Sequence, residues 1–431
     1  MLESLDIINV GPSHGMALEF SPRINMITGD NGLGKSLILD VAWWALTCTW
    51  ARQAVIPQPG VRASISSSYT KNTKTTKGYH TFISKYDREN MLWPVQANRP
   101  THTGLVLYAQ GDGGFSVWDP VRNYWTEGAP NASLFTSNEV LTGNKYCKGL
   151  INDWALWQAG NDPSFCALRK VLEILSPSPE KKIEPGDLRK LTVNDPRRYP
   201  TLRGANGEDT AVIHASAGVR RVLALAYLTT WAWQEHVESV KLRGEEETSH
   251  EIVFLIDDIE DHLHPLWQRT IVSTLTKVME ALTGMPDFKV QLITSTHSPL
   301  VMASLEPFFD AAKDSWFAIN REDRAIVLRK HWYGRLGEVG NWLVSDAFDL
   351  KEPRSLEGER AVRAGLQVLN AKSPSLVEIE AADKLLCKAG LPDIDLFWVH
   401  WDYFVEQARQ PAAPKGEPCP VSDRSHAGGT C

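Results

Sequence analysis

The feature that most constrains this chain is the octet Gly29-Asp30-Asn31-Gly32-Leu33-Gly34-Lys35-Ser36. It satisfies G-x-x-x-x-G-K-[ST] at every required position and follows the apolar run Ile24 to Thr28, so a strand enters it and a helix leaves it. Glycines let successive backbone N–H groups turn toward one anion, and the helix beginning near Lys35 adds the positive end of its dipole. In that geometry Lys35 reaches the β- and γ-phosphates of a nucleotide, and the Ser36 hydroxyl binds Mg²⁺. The plainer alternative is a glycine-rich strand-to-helix turn. The pattern predicts a helix to about Arg52, apolar on several sides, with Trp43, Trp44 and Trp50 packed behind the loop.

At 431 residues the chain exceeds one ordinary domain. A net charge of −7 argues against coating DNA by bulk positive charge, while leaving room for a local basic strip. There is no apolar run long enough to span a membrane and no signal-peptide pattern at the start, so a cytoplasmic protein without membrane contact is expected. Six cysteines without a C-x-x-C pair suggest neither a zinc site nor a disulfide framework.

Along the chain, "SLDIINV", "MALEF" and "RINMITG" read as strands. Residues 60–125 read as a β-rich antiparallel arm of short runs such as "TGLVLYAQ" and "FSVWDP". A helical insertion is expected within 148–200, and residues 301–409 read as mainly helical. Ser375 and Glu378 form a capping box there, with Gly390 as the stop. Residues 410–431, rich in Pro, Gly and Ser, read as a disordered tail.

Three further motifs follow the octet. In "EIVFLIDDIEDHLHP" a buried strand ends at Asp257-Asp258, the place for a carboxylate that holds Mg²⁺ and one that orients water. In "VQLITSTHSPL" another strand leads to His297, placed where a γ-phosphate or attacking water would lie. In "HASAGVRRVLALAYLTTWAW" Ser216 and Gly218 stand at a helix start, a second anion-binding geometry, with Arg220 and Arg221 following. A buried strand with an acidic turn, a structural histidine and a capped amphipathic helix are the respective plain readings. His262 and His264 make a compact H-x-H, read as packing or interface rather than metal ligands because no third ligand is near.

The order of these motifs resembles the ABC-type ATPases of the overcoming-lysogenisation-defect and related AAA-labelled group. The segments 256–265 and 295–299 and the forms "GDNGLGKS" and "SAGVRR" carry that resemblance. Within the group the chain is most similar to short anti-phage ATPases of the Septu-type and retron-associated kinds. The resemblance implies an α/β fold: a P-loop ABC-type head over residues 1–300 with an antiparallel β insertion, then the helical C-terminal region. It implies a head-to-head homodimer, with a higher oligomer left open, and two ATP molecules sandwiched between protomers. Gly29 to Ser36 of one subunit would hold the nucleotide and Mg²⁺, and Ser216 and Gly218 of the other would close over the γ-phosphate. Asp257 would be the Walker B aspartate, His297 the switch histidine and Gln110 the candidate glutamine-loop ligand of Mg²⁺.

One departure stands out. Where the group usually carries Glu, this chain has Asp258, a carboxylate retracted by about 1.5 Å; displacement on that scale costs roughly 100-fold. Slow hydrolysis is therefore expected, with Glu260 the residue that could compensate. Residues 301–431 carry no acidic strand-end pattern of the D-x-D type, so an intrinsic nuclease is not expected. The function expected is an ATPase that regulates a separate nuclease subunit, of HNH type as the resemblance implies, in anti-phage defence, with nucleic acid reached through the complex. A non-hydrolysing ATP-dependent scaffold and a DNA-repair ATPase that binds DNA directly are the alternatives. The aromatic stretch from Phe397 to Val405 forms one helical face, for core packing or for docking a partner.

Overall fold

A computed structural model of the chain describes residues 1–72, 77–95, 104–123, 132–204, 207–244, 248–323, 325–348 and 350–409. The chain divides into two compact units, Met1–Asp349 and Leu350–Cys431. The first contains, in order, β1 (Leu2–Ile8), β2 (Gly15–Glu19), β3 (Ile24–Gly29), α1 (Lys35–Thr47), β4 (Ser64–Asn72), β5 (Lys77–Lys85), β6 (Leu105–Ala109), β7 (Phe115–Trp118) and β8 (Ser133–Phe135). There follow α2 (Ser137–Thr142), α3 (Leu150–Gly160), α4 (Pro163–Ile174), β9 (Thr201–Arg203), β10 (Asp209–Ala211), α5 (Ala217–Leu242), β11 (Glu251–Ile256), α6 (Pro265–Gln268) and α7 (Ile271–Thr283). The unit closes with β12 (Lys289–Ser295), α8 (Pro299–Leu305), β13 (Asp314–Glu322), β14 (Ala325–His331) and α9 (Val339–Leu343).

Strands that are apolar at every position need cover on both faces, and parallel sheets supply it. Here the central sheet has the order β14-β13-β3-β12-β11-β6-β7-β8, parallel from β13 to β6 and antiparallel at both edges. Because side chains alternate along a strand, each of these strands feeds two cores. Leu105, Leu107 and Ala109 enter the core shared with α5, α7 and α8, while Val106 and Tyr108 enter the one built around α1. A second sheet, ordered β2-β1-β4-β5 and antiparallel throughout, covers α1 from its other side. That sandwiching explains why α1 is apolar almost all round.

Several expected boundaries shift. The β-rich stretch 60–125 is divided: β4 and β5 extend the small antiparallel sheet, whereas β6 joins the central sheet parallel to β11. The run "LVLYA" is buried at every residue, which an exposed arm could not satisfy. The helix after the octet ends at Thr47 rather than near Arg52, because Cys48 takes a left-handed conformation as its C-cap. Within 148–200 the helices stop at Ile174. The helical C-terminal region starts later than 301, since β13 and β14 first complete the sheet; residues 314–319 are buried, and Trp316, Phe317, Ala318 and Ile319 alternate between the two cores. Residues 410–431, read as a disordered tail, lie outside the described residues.

The second unit packs α10 (Leu356–Leu369), α11 (Leu376–Ala389) and α12 (Leu396–Arg409) around Val362, Leu386, Phe397 and Trp401. The expected capping box of Ser375 and Glu378 and the Gly390 stop both form. Gly365 lets the helices approach, because a Cβ there would lie 2.6 Å from Phe397 Cζ. Trp401 is fully buried and its Nε1–H donates to Asp383 Oδ1 at 2.9 Å, so this face of the aromatic stretch is core. Trp401→Phe removes that bond and part of the packing and is expected to cost about 1–2 kcal/mol. Hydrogen exchange of the full chain should then speed up across α10–α12; unchanged protection would take Trp401 out of the core.

Candidate active site

The register of the central sheet brings the motifs to one edge. Ile256 pairs with Ala109 on one side and Thr294 on the other, and Ser295 pairs with Ile27. The residues that follow these strands, Gln110, Asp257 and Thr296, thus emerge beside the loop after β3. This is where parallel α/β sheets place their ligands.

Within that loop Gly29, Gly32 and Gly34 have φ of +143°, +76° and +106°. At Gly29 the requirement is also steric, since a Cβ would sit 2.4 Å from Ile319 O on β13. Gly34 is the N-cap of α1, with no side chain capping it and no acidic residue in the first turn. The first-turn N–H groups are therefore left for an anion. Asp30 and Asn31 are exposed, Leu33 is buried, and Ser36 is half-buried beside Lys35. Lys35 is buried, and its Nζ donates to Gly29 O at 2.8 Å and Asp30 O at 3.0 Å. Burial pulls its pKa below the usual ammonium value, opposed by Asp258, Asp257, Glu260 and Asp30.

Ser295, which the motif reading passed over, organises the acidic pair. Its hydroxyl accepts from Asp258 N at 2.7 Å and donates to Asp257 Oδ1 at 2.8 Å. The neighbouring pairing of Ile256 with Thr294 is the only hint of this, and register is not a local property of sequence. Asp258 sits at φ +45°, a left-handed conformation that Asp and Asn adopt more readily than other side chains. His297 Nε2 lies 3.7 Å from Asp258 Oδ1.

Glu260 is engaged elsewhere. One oxygen accepts from Thr296 Oγ1 at 2.6 Å and the other from His297 N, so the carboxylate braces the turn that carries His297. Burial pushes its pKa up, opposed by those two bonds. Gln110 is buried and its Nε2 donates to Ser116 Oγ at 2.9 Å, toward β7. Ser216 caps α5, accepting from Val219 N, and among the described residues no hydrogen bond or ion pair joins it to the loop 29–36. Gly218 is needed for close approach, because a Cβ would lie 2.3 Å from His262 O. Arg221, one helical turn on, donates to Gln110 O at 3.1 Å and Asp257 O at 2.7 Å, a link no motif revealed. His264 caps α6 through Nδ1.

The oxygen donors Ser36 and Asp257 suit a hard divalent cation. No cluster of three His, Cys, Asp or Glu side chains able to hold a metal exists among the described residues. A small donor set of this kind fits Mg²⁺ held largely by phosphates rather than in a protein cage.

A sequence profile described as AAA domain, putative AbiEii toxin, Type IV TA system matches residues 118–303, and another described as AAA domain matches residues 4–92. The chain is related to AAA-labelled ATPases, in keeping with the motif order. Among relatives, the Septu protein PtuA of Bacillus mycoides (strain KBAB4) is 23% identical over 313 residues, 70% of this chain and 39% of its own. The Retron Vc95 probable ATPase of Vibrio cholerae serotype O1 biovar El Tor is 43% identical over 53 residues, 12% of this chain and 9% of its own. The chain thus spans well under two thirds of the length of these relatives. A solved SMC head domain from Thermotoga maritima aligns over 77% of this chain and 99% of its own at 13% identity, with a TM-score of 0.38. No helix among the described residues is long and apolar enough to cross a membrane.

Proposed function

We propose that this protein binds ATP with Mg²⁺, hydrolyses it slowly, and dimerises head to head around two nucleotides to control a separate nuclease, of HNH type, in anti-phage defence. The observation that carries the reading is the strand register that gathers Lys35, Asp257, Asp258 and His297 at one sheet edge. Similarity to the Septu and retron proteins supports the defence setting and the separate effector.

MgATP supplies the transferable γ-phosphoryl group and the counter-charge for its oxygens. The protein's own residues divide the remaining work. The N–H groups of Gly32 to Ser36 and the Lys35 ammonium would hold phosphate oxygens, and the Ser36 hydroxyl and Asp257 would hold the ion. Asp257 enters this role already oriented by Ser295. Asp258 takes the proton of the attacking water, and His297, braced by Glu260, orients that water or the γ-phosphate. Gln110 would serve the ion through Oε1, the atom its bond from Nε2 to Ser116 leaves unused. Ser216 and Gly218 of a second copy close the site.

The short, left-handed Asp258 favours a second reading, in which ATP clamps the complex without turnover. Either way, Asp258→Asn should trap the closed form. Light scattering of that variant should report a doubling of mass on adding MgATP, and a mass unchanged by nucleotide would overturn the sandwich.

A further inference from the structure

Behind the acidic pair lies a charged cluster that the proposed chemistry does not use. Asp40 on α1, Arg52 in the loop after it and Tyr108 on β6 meet beneath Asp257. Arg52 donates to Asp40 Oδ1 through Nε at 3.1 Å and through Nη2 at 3.0 Å, and Nη2 also donates to the Tyr108 hydroxyl at 3.0 Å. Tyr108 in turn donates to Asp40 Oδ1 at 3.0 Å. The same Nη2 lies 3.7 Å from Asp257 Oδ2, within ion-pair range but beyond a hydrogen bond. One guanidinium thus stands between two carboxylates and is bonded to only one.

The other surroundings of Asp257 sharpen this arrangement. Oδ1 is taken by Ser295, which leaves Oδ2 as the oxygen for an incoming ion. Movement of less than an ångström would let Arg52 bond Oδ2 and compete with a divalent cation for it. The loop bearing Arg52 is itself fixed: Trp93 Nε1–H donates to Val55 O at 2.8 Å, and Trp50 stacks on Trp44 at 5.5 Å. What restrains the guanidinium is therefore its bonding to Asp40 and Tyr108.

We propose that Asp40 is a positioning residue for the metal-side carboxylate: with Tyr108 it holds Arg52 short of Asp257, leaving Oδ2 open to the divalent ion of MgATP. This rests on the reading of Asp257 given above. Without Asp40, Arg52 keeps Asp257 as its remaining carboxylate partner and closes onto it.

The test uses the full chain and a fluorescent methylanthraniloyl ATP, and measures the factor by which saturating Mg²⁺ tightens binding relative to EDTA. Opposite charges at this separation interact strongly enough that Asp40→Asn should shrink that factor at least about tenfold, with affinity in EDTA held within about twofold. Adding Arg52→Gln to Asp40→Asn should restore the factor to within about threefold of the parent protein, because the competing cation is gone. A merely structural loss would not be rescued by a second deletion. Tyr108→Phe keeps its ring against Trp43, 6.1 Å between centroids, and should act in the same direction. Its effect should be about threefold, reversed by Arg52→Gln, so it carries the test should Asp40→Asn fail to fold. An unchanged factor in the single variants, or no rescue by Arg52→Gln, overturns the proposal. A parent protein whose affinity ignores Mg²⁺ overturns the reading of Asp257 instead.

Discussion

Replacing Lys35 with Ala should weaken ATP binding about 100-fold, the effect of losing a charge-assisted bond worth roughly 3 kcal/mol. The side chain is buried, and its ammonium is already pinned over the loop by two carbonyls. It also offsets the charge of Asp30, Asp257, Asp258 and Glu260, alongside Arg221 and Arg52. Deleting it leaves those carboxylates less compensated beside the phosphates. Titration with fluorescent ATP measures the loss, and a melting curve separates it from unfolding. A change under about fivefold would place the nucleotide elsewhere.

Asp258→Glu should speed single-turnover hydrolysis by up to about 100-fold, by returning the carboxylate to the reach its position demands. The structure adds a counterweight that residue identity alone does not reveal. At φ +45° the backbone suits Asp, and a longer side chain there should cost about 1 kcal/mol in stability. The variant should therefore be faster and less stable together. No acceleration would sink the slow-hydrolysis reading and favour the clamp without turnover.

How much of this was legible in the sequence depends on how local each feature is. The octet, the acidic pair and the turn at His297 were readable because each is a short pattern at a strand end. Their gathering at one edge also follows once the strands are taken as parallel neighbours. The contacts of Ser295 and Arg221 were not readable, because each acts on a residue at least 36 positions away and its partner is set by register and helix packing. Glu260 was readable as an acid near the site but not as a brace, since spacing does not tell which way a turn points a side chain. The strands β13 and β14 were masked by helical sequence on either side. Their alternation becomes decisive only when a sheet edge is available to receive them.

Arg221 gives the helical layer a mechanical meaning. By donating to the carbonyls of Gln110 and Asp257 together, it ties the N-terminal end of α5 to the ends of both β6 and β11. A helix of 26 residues is about 39 Å long, so a small tilt at its far end near Leu242 becomes a torque at the acidic pair. Any displacement of that end of α5 would reach the backbone of Gln110 and of Asp257 through the same guanidinium.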